Sequence, residues 1–355
     1  MIEMFRLLIA LLTFAVVLTT LVPLHSSPHW AVRMWDFPRL QILCVAALVA
    51  VFAVFLGQYL GAAALVVCIA YQWWWIHPYT PFGRPEIEIA DVDPNQDITL
   101  LSVNIEMTND NRQAISQVIT DTKPDVLFLM ETDQSWIDAL QPILAGYGTV
   151  VSEPKDNYYG MVFATDLNVR SAEIVYLTSD NTPTLLAELE TKSGDVFRFL
   201  GLHPRPPVPG EDTIARDEQL SYAARFGKVE DMDLVVMGDF NDVVWSRKSH
   251  DFKRVGGYLD PRFGRGFISS FHAKYPFMRF PIDHFFVTEG VVVSEFRRGP
   301  KVGSDHFPMI ARVRFDDALA KRLNAAPEKI AEDEDQRINE MVARHRKRLD
   351  ANADQ

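Results

Sequence analysis

The stretch DLVVMGDFN, residues 233 to 241, joins a run of apolar residues to a group of polar ones. Leu234 to Met237 are apolar without interruption, which is typical of a strand that is buried on both faces of a sheet. Asp239 and Asn241 follow directly, so this strand ends in an acid and an amide. The stretch therefore predicts a core strand that delivers polar side chains to one end of a sheet.

The same pattern recurs in five other segments, where an apolar strand ends or begins at an acid, an amide or an imidazole. These segments are DITLLSVNI (97–105) with Asn104, DVLFLME (125–131) with Glu131, VFRFLGLH (196–203) with His203, IDHFFVTEG (282–290) with Asp283 and His284, and PMIARVRF (308–315), which Asp305 and His306 precede. If the polar ends of the strands coincide, these side chains gather along one edge of the domain, which we call the rim.

Further segments predict the rest of the fold. GMVFAT (160–165), TLLAELE (184–190) and VVVSEF (291–296) are typical of strands, whereas residues 112–122 and 213–226 predict helices. Many strands with few helices between them indicate an α+β domain or a layered sandwich rather than a doubly wound sheet.

The residue types at the rim suit the chemistry of phosphate esters. Glu131 and Asn104 offer oxygen ligands to a hard cation such as Mg²⁺, which keeps several waters and binds a substrate phosphate. An aspartate or a histidine that is held by a second carboxylate can act as the base for an attacking water. Structural roles are alternatives for several of these residues, namely Asn104 in a turn, Asp239 and Glu131 as helix caps and His203 in an ordinary loop.

The whole set resembles the endonuclease/exonuclease/phosphatase family, whose fold is that of deoxyribonuclease I, over about residues 97 to 315. The motifs that carry the resemblance, in the family's order, are LLSVNI, PDVLFLMET, LHPRPP, GDFND, PIDHFFV and GSDHFP. GDFND is the most specific of them. The resemblance implies an α+β fold, a four-layer α/β/β/α sandwich of two packed mixed sheets.

The resemblance also implies a role for each rim residue. The metal ligands would be Asn104, Glu131 and Asp305, with Mg²⁺, or Mn²⁺ in its place, as the ion. The catalytic residues would be His203 as a catalytic or phosphate-binding histidine, Asp239 as the group that orients or deprotonates the nucleophile, Asn241 as a phosphate contact, and His306 as the catalytic histidine that Asp283 holds. Pro281 stands where some nuclease members carry an arginine, which leaves the substrate open.

The N-terminal part of the chain is of a different kind. Phe5–Leu24, Leu40–Leu56 and Tyr59–Ile76 are apolar runs long enough to cross a bilayer as helices. Trp30, Trp35 and the block 73–75 fit aromatic belts at the membrane interfaces. We favour three transmembrane helices over a signal peptide or the buried hairpin of a soluble protein.

Four parts of the chain are therefore expected, namely a membrane anchor at 1–77, a stiff linker at 78–96, a catalytic domain at 97–315 and a charged helical or disordered tail at 316–355. Arg6 favours a cytoplasmic N-terminus, whereas Arg33 and Arg39 argue the opposite way. The resemblance extends to a bacterial subgroup in which apolar helices precede the catalytic domain. It implies a multi-pass protein of the inner (cytoplasmic) membrane with a periplasmic domain.

Charge separates the function hypotheses. Residues 1–85 carry four basic and two acidic side chains, and the whole chain has a formal charge of −12, so the remainder carries −14. Such a domain is a poor partner for bulk nucleic acid. We therefore favour a membrane-anchored, Mg²⁺-dependent phosphoesterase acting on a phosphodiester or phosphomonoester, with a lipid or envelope-associated phosphate as its substrate.

Two alternatives to this hypothesis are an endonuclease or exonuclease of the same fold and an inactive membrane scaffold. The intact set of acids, amides and histidines argues against the scaffold. A nuclease would need a local basic patch, for which the candidates are Arg247, Lys248, Lys253, Arg254, Arg262 and Arg265.

Overall fold

Two mixed sheets packed face to face form the centre of the domain. The computed structural model describes residues 1–178, 181–226 and 232–353. Its strands are β1 (Ile98–Asn104), β2 (Val126–Met130), β3 (Thr149–Glu153), β4 (Met161–Thr165), β5 (Asn168–Tyr176), β6 (Pro183–Glu190), β7 (Val196–Leu202), β8 (Asp233–Asp239), β9 (Asp283–Val287), β10 (Val291–Arg298) and β11 (Met309–Phe315). The first sheet has the order β10-β11-β1-β2-β4-β3, and the second has the order β5-β6-β7-β8-β9.

Helices precede the sandwich, cover its outer faces and follow it. They are α1 (Ile2–Leu21), α2 (Trp30–Arg33), α3 (Arg39–Phe55), α4 (Tyr59–Ile76), α5 (Arg112–Thr122), α6 (Gln134–Leu144), α7 (Ile214–Phe226), α8 (Arg247–Gly256), α9 (Asp317–Leu323) and α10 (Glu332–Ala353). The side chain of Asn111 accepts a hydrogen bond at the start of α5, and that of Asp133 does so at the start of α6. Asp133 is thus the cap of α6, and Glu131 is not.

Three apolar layers hold the sandwich together. Phe128 and Phe199 meet between the sheets, with ring centroids 5.9 Å apart. Trp136 of α6 is buried against the outer face of the first sheet, and Leu220 of α7 and Phe252 of α8 are buried against the second. Helices on both outer faces of two packed sheets give the α/β/β/α arrangement of the predicted fold.

The helices of the N-terminal part form a bundle with a buried polar network at one end. Arg39, at the start of α3, donates hydrogen bonds to Asp36 (2.5 Å) and Gln72 (3.1 Å), and Gln72 donates to Thr20 (3.2 Å). Two helical segments, Ile2–Leu24 and Tyr59–Tyr79, are long and apolar enough to cross a membrane. Residues 30–36 and α3 meet at a bend of 73°. If this bent pair is counted as one span, the number of candidate spans rises to three.

The polar end of this bundle lies directly against the sandwich. Trp245 Nε1 donates a hydrogen bond to the carbonyl of Asp36 (2.9 Å), and the hydroxyl of Tyr79 donates to the carbonyl of Val244 (2.7 Å). The rings of Phe37 and Phe280 meet edge to face, 5.6 Å apart. The bundle therefore contacts the segment that immediately follows the GDFND motif.

The segment 78–96 packs on the domain and does not stand apart as a linker. Ile87 is fully buried in the core between the sheets. Glu86 pairs with Lys253 and accepts a hydrogen bond from the backbone N–H of Asp260 (2.9 Å). The apolar side chain of Ile87 explains the difference, because burial of apolar surface outweighs the stiffness that the nearby prolines suggest.

Residues beyond the last strand also belong to the folded body. The side chain of Asn324, just after α9, donates a hydrogen bond to the carbonyl of Val291 (2.9 Å). The predicted helix in the tail is present as α10, where His345 stacks on Tyr222 of α7. The structure thus continues the domain beyond the predicted boundary at 315.

Gly238 provides a test of the close contact between β7 and β8. Its φ is +145°, and a Cβ at this position would lie 1.9 Å from the carbonyl oxygen of Leu202. We predict that Gly238→Ala lowers the free energy of unfolding by about 3 kcal/mol or more, because backbone on both sides must shift. Thermal unfolding of the detergent-solubilised chain measures the effect. Gly194→Ala is the matched control, since φ is +94° but nothing lies within 4 Å; equal losses in the two variants would contradict the contact.

Candidate active site

The order of the first sheet brings its polar residues to one end. β1 and β2 are parallel, so Asn104 at the end of β1 and Glu131 just after β2 leave the sheet on the same side. β11 is antiparallel to β1, and Met309 at its start pairs with Ser102 near the end of β1. Residues 305–306, which precede β11, therefore reach the same rim.

The second sheet supplies the other half of the rim. β7 and β8 are parallel, so His203 and Asp239 leave together, and β9 begins with Asp283 paired to Asp239. His284, the next residue, points to the opposite face, where it stacks on Phe240 with centroids 4.3 Å apart. The alternation of a strand thus selects one residue of the Asp283–His284 pair for the rim.

Asn104 connects the two sheets. Its Nδ2 donates hydrogen bonds to Glu131 Oε1 (2.8 Å) and to Asp239 Oδ2 (3.0 Å), while its Oδ1 accepts one from the backbone N–H of Glu106 (3.0 Å). The amide nitrogen, not the oxygen, faces the two carboxylates. In this geometry Asn104 is a donor that orients two acids, and its role as a metal ligand stays a prediction.

His306 lies between two buried carboxylates. Its Nδ1 is 2.7 Å from Asp283 Oδ2, and its Nε2 is 3.5 Å from Asp239 Oδ2. Burial by itself lowers the pKa of His306, but the charges of Asp283 and then of Asp239 outweigh burial and raise the pKa to about 10. The imidazole is therefore a cation at neutral pH.

Asp239 is the most buried acid of the rim, and burial raises its pKa. Burial and, more weakly, the charge of Asp283 raise the pKa to about 7, against the opposing effects of His306 and of the hydrogen bonds it accepts. Its Oδ1 accepts a hydrogen bond from the backbone N–H of Asn241 (2.8 Å). A carboxylate that titrates near neutrality is well suited to accept a proton from water.

His203 is neutral, whereas His306 is protonated. Burial and then the positive charge of His306 lower its pKa to about 3, so the ring is neutral. Its Nε2 lies 3.8 Å from Asp239 Oδ2 and 4.0 Å from Glu131 Oε1. These distances exceed a hydrogen bond, so the nitrogen faces the two acids without a hydrogen bond to either.

Two predicted site residues are fixed mainly through other contacts. The side-chain amide of Asn241 donates a hydrogen bond to the carbonyl of Pro204 (3.0 Å), which ties the GDFND loop to the loop after His203. Asp305 is held through its backbone, where its N–H donates to Glu106 Oε2 (3.0 Å) and its carbonyl accepts from Ala273. The carboxylate of Asp305 remains partly exposed at the rim.

The acids of the rim fit a divalent cation. Burial raises the pKa of Glu131, and the charge of Asp305 raises it further, so a cation at this position would stabilise both carboxylates. Asp239, Asp283 and His306 also place ligand atoms within 4.8 Å of one another. The hydrogen bond between His306 and Asp283 already uses two of those atoms, and therefore Glu131 with Asp305 is the better fit to a hard cation.

Sequence reasoning missed the residues that border the rim. The ring of Phe271 lies 5.0 Å from that of His306, and Lys274 forms an ion pair with Glu106 (2.7 Å). Arg279 and Arg298 lie over the ring of Phe307, at 5.3 and 4.1 Å from its centroid. Phe271, Lys274 and Arg279 come from an irregular segment without periodicity. Phe307 belongs to the GSDHFP motif, and proximity in sequence to that motif was the only signal for Arg298.

The sequence profile of the Endonuclease/Exonuclease/phosphatase family matches residues 101–306, and the chain belongs to this family. Its members are hydrolases of phosphate esters that depend on a divalent metal, so the protein is a hydrolase of this type. No curated protein matches the chain.

Solved structures share the fold at low sequence identity. D. rerio TDP2 complexed with single strand DNA product is 16% identical with a TM-score of 0.52, over 61% of this chain and 99% of that one. Truncated Caenorhabditis elegans TDP2 is 15% identical with a TM-score of 0.52, over 61% and 97%. An endonuclease/exonuclease/phosphatase from Bacteroides vulgatus is 19% identical with a TM-score of 0.51, over 62% and 99%.

The contacts of His306 predict unequal effects of its two acidic neighbours. Asp283 is the strongest attraction that keeps His306 protonated, and Asp305 is the weakest of those that contribute. Asp283→Asn should lower the pKa of His306 from about 10 by more than Asp305→Asn does. A ¹⁵N NMR titration of the histidines in the metal-free protein measures both shifts. A larger shift in Asp305→Asn would contradict the assignment of Asp283 as the partner of His306.

Proposed function

We propose that the protein is a membrane-anchored phosphoesterase that uses Mg²⁺, or Mn²⁺ in its place, to hydrolyse a phosphodiester or phosphomonoester. The observation that carries this proposal is the position of Asp239. It is a buried carboxylate with a pKa raised to about 7, located between the amide of Asn104 and the imidazolium of His306. Burial favours proton acceptance by this carboxylate, while Asn104 and His306 keep the accepting oxygen in place.

Each rim residue has a defined part in the proposed reaction. Asp239 accepts a proton from the attacking water, and Asn104 keeps the accepting oxygen in place. His306, a cation held by Asp283, stabilises negative charge on the phosphoryl group. The neutral His203 donates or accepts a hydrogen bond at a phosphate oxygen. Asn241 keeps its predicted role as a phosphate contact in this proposal, and its backbone N–H orients Asp239.

A bound divalent cation would be held by Glu131 and Asp305, and it would neutralise charge on a phosphoryl oxygen. Without it, these two acids repel an anionic substrate. We therefore expect hydrolysis to require the metal even though both histidines and Asp239 are already in place.

A nuclease is the second candidate, and the ion pairs of the basic residues argue against it. Arg262 is fully buried with Asp260 (2.8 Å), Lys253 pairs with Glu86, and Arg254 pairs with Glu334. Side chains engaged in this way do not form a phosphate-binding surface for a nucleic acid. We favour a lipid or envelope-associated phosphate as the substrate.

The proposed location is the inner (cytoplasmic) membrane of a bacterium, with three membrane-spanning helices and the domain on the periplasmic side. Two apolar helical segments of sufficient length and the bent third support the anchor. With three spans, the two ends of the chain lie on opposite sides of the membrane, so Arg6 and a cytoplasmic N-terminus are consistent with a periplasmic domain.

Hydrolysis of a generic ester tests the reaction and the site together. We predict that the detergent-solubilised chain hydrolyses bis-p-nitrophenyl phosphate with Mg²⁺ and that EDTA abolishes the activity. Asp239→Ala and His306→Ala should each lower kcat by roughly 10²-fold or more, because each removes a group used in proton transfer or charge stabilisation. Absorbance of p-nitrophenolate follows the rate.

His250→Gln is the matched control, since His250 is a half-exposed histidine of α8 outside the rim. Full activity in both rim variants would exclude the proposed site. A DNA nicking assay run beside the ester assay decides between the two candidate functions, and nicking at a rate above that of lipid phosphates would favour the nuclease.

The side of the membrane is tested by a fusion after Gln355. Alkaline phosphatase, which folds only in an oxidising compartment, should be active when fused there, and a fluorescent protein that requires the cytoplasm should be dark. The reverse result would place the domain in the cytoplasm.

A further inference from the structure

Two loops border the rim, and the first of them runs from the site to the anchor. It begins just after His203 and ends at residue 213, before α7. At its far end, the backbone N–H of Thr213 donates a hydrogen bond to the carbonyl of Pro28 (2.9 Å). The backbones of Asp212 and His29 form an isolated antiparallel β-bridge. Residues 28–29 lie between α1 and α2, so this loop connects a histidine of the site to the polar end of the bundle.

The second loop, residues 271–280, makes the same connection from the other side. At its start, Phe271 lies against the ring of His306, and the N–H of Ala273 donates to the carbonyl of Asp305 (2.6 Å). At its tip, the carbonyl of Phe277 accepts a hydrogen bond from the side chain of Gln41 (3.0 Å). The loop thus extends from the proposed catalytic histidine to the first turn of α3.

The contact with Gln41 fixes the depth of this tip. Gln41 is the third residue of α3, so it lies roughly 3 Å further along the helix axis than Arg39. Arg39 belongs to the polar network at the end of the bundle, where the apolar part of α3 begins. The tip therefore lies level with the first apolar turn of α3, which is the height of a membrane interface if α3 spans the bilayer as proposed.

The chemistry of the tip matches that height. Tyr275, Phe277 and Met278 are 59%, 89% and 54% exposed, an unusual density of exposed apolar side chains in four residues. Lys274 precedes them and Arg279 follows, although the domain as a whole is acidic. Apolar side chains bordered by cations are what an anionic bilayer surface binds.

We infer that residues 274–279 form a lip that inserts into the bilayer beside α3, and that the substrate is an amphiphilic phosphate ester which reaches the rim from the same leaflet. The choice of substrate rests on the proposed hydrolase function. The occupant of the lip is the bilayer rather than a second copy of the chain, because the lip is continuous with the membrane end of α3. Arg279 at the end of the lip and Arg298 beside it, both over the ring of Phe307, would attract the phosphate of such a substrate toward His306.

Spin labelling tests the lip without any assay of activity. Cys44 and Cys68 are replaced by Ala, and a nitroxide is attached to Phe277→Cys in the full chain, reconstituted in phosphatidylcholine–phosphatidylglycerol vesicles. Val150→Cys is the control, because Val150 is 41% exposed and pairs with Ala164, toward the end of the sheet away from the rim. At 277 we expect frequent collisions with oxygen and rare ones with a nickel chelate, and the reverse at 150.

Two results of that experiment would overturn the inference. If the labels at 277 and 150 collide with the nickel chelate equally often, residue 277 lies in water and not in the bilayer. Rare collisions with both reagents would mean that protein, such as a second copy, covers the lip.

Activity tests the source of the substrate. We expect Phe277→Asp to slow hydrolysis of phosphatidic acid or phosphatidylglycerol in vesicles by about tenfold, from the lost burial of one aromatic side chain. The same variant should leave hydrolysis of soluble bis-p-nitrophenyl phosphate unchanged, and Val150→Asp should change neither rate. Equal slowing of both substrates, or hydrolysis of the soluble ester without either lipid, would refute the membrane-derived substrate; no hydrolysis of any ester would instead refute the proposed function.

Discussion

The site depends on one hydrogen bond between the two sheets, from Asn104 Nδ2 to Asp239 Oδ2 at 3.0 Å. Asn104 ends a strand of the first sheet and Asp239 ends a strand of the second, so this bond forms only at one spacing and one offset of the sheets. The apolar layer between them sets both quantities. At Gly201 a Cβ would lie 2.7 Å from the ring of Phe128, which means that the sheets approach as closely as these side chains permit.

That spacing also determines the charges of the rim. His203 and His306 are both buried, yet burial makes one neutral while two carboxylates keep the other protonated. The difference comes from position alone, because only His306 has a carboxylate within hydrogen-bonding distance. An intersheet gap thus holds a neutral imidazole, an imidazolium and a carboxylate that titrates near neutrality. The rim therefore has an acceptor and a donor ready at the same pH.

Much of the fold was predictable from sequence, because apolar runs and polar strand ends are local patterns. The strand at 233–239 and the gathering of Asp239 with Asp283 and His306 follow from such patterns and from the resemblance. The orientation of individual side-chain atoms was not predictable from sequence. Asn104 is identified by its place after a strand, but only the structure shows that its nitrogen and not its oxygen faces Glu131.

The same limit explains the boundaries and the missed elements. Strands β3 and β5 contain no long continuous apolar run, and Ile87 stands between Glu86 and Glu88. The packing of the bundle against Val243–Trp245 joins parts of the chain about two hundred residues apart. Contacts between residues so far apart produce no hydrophobic periodicity in either segment. Each residue fits its distant partner and not a repeating pattern of its own segment.

The attachment of the bundle to the domain has a kinetic consequence. A domain on a flexible tether sweeps a volume, and its encounters with substrate follow the bulk concentration. Here the hydrogen bond from Trp245 to Asp36 and the packing of Phe37 on Phe280 hold the domain in one orientation. If the helices span a bilayer, as proposed above, the rim samples a single plane at a fixed height. Its turnover would then follow lateral diffusion and the mole fraction of substrate in that plane, so dilution of the surface by inert lipid would slow it at constant total substrate.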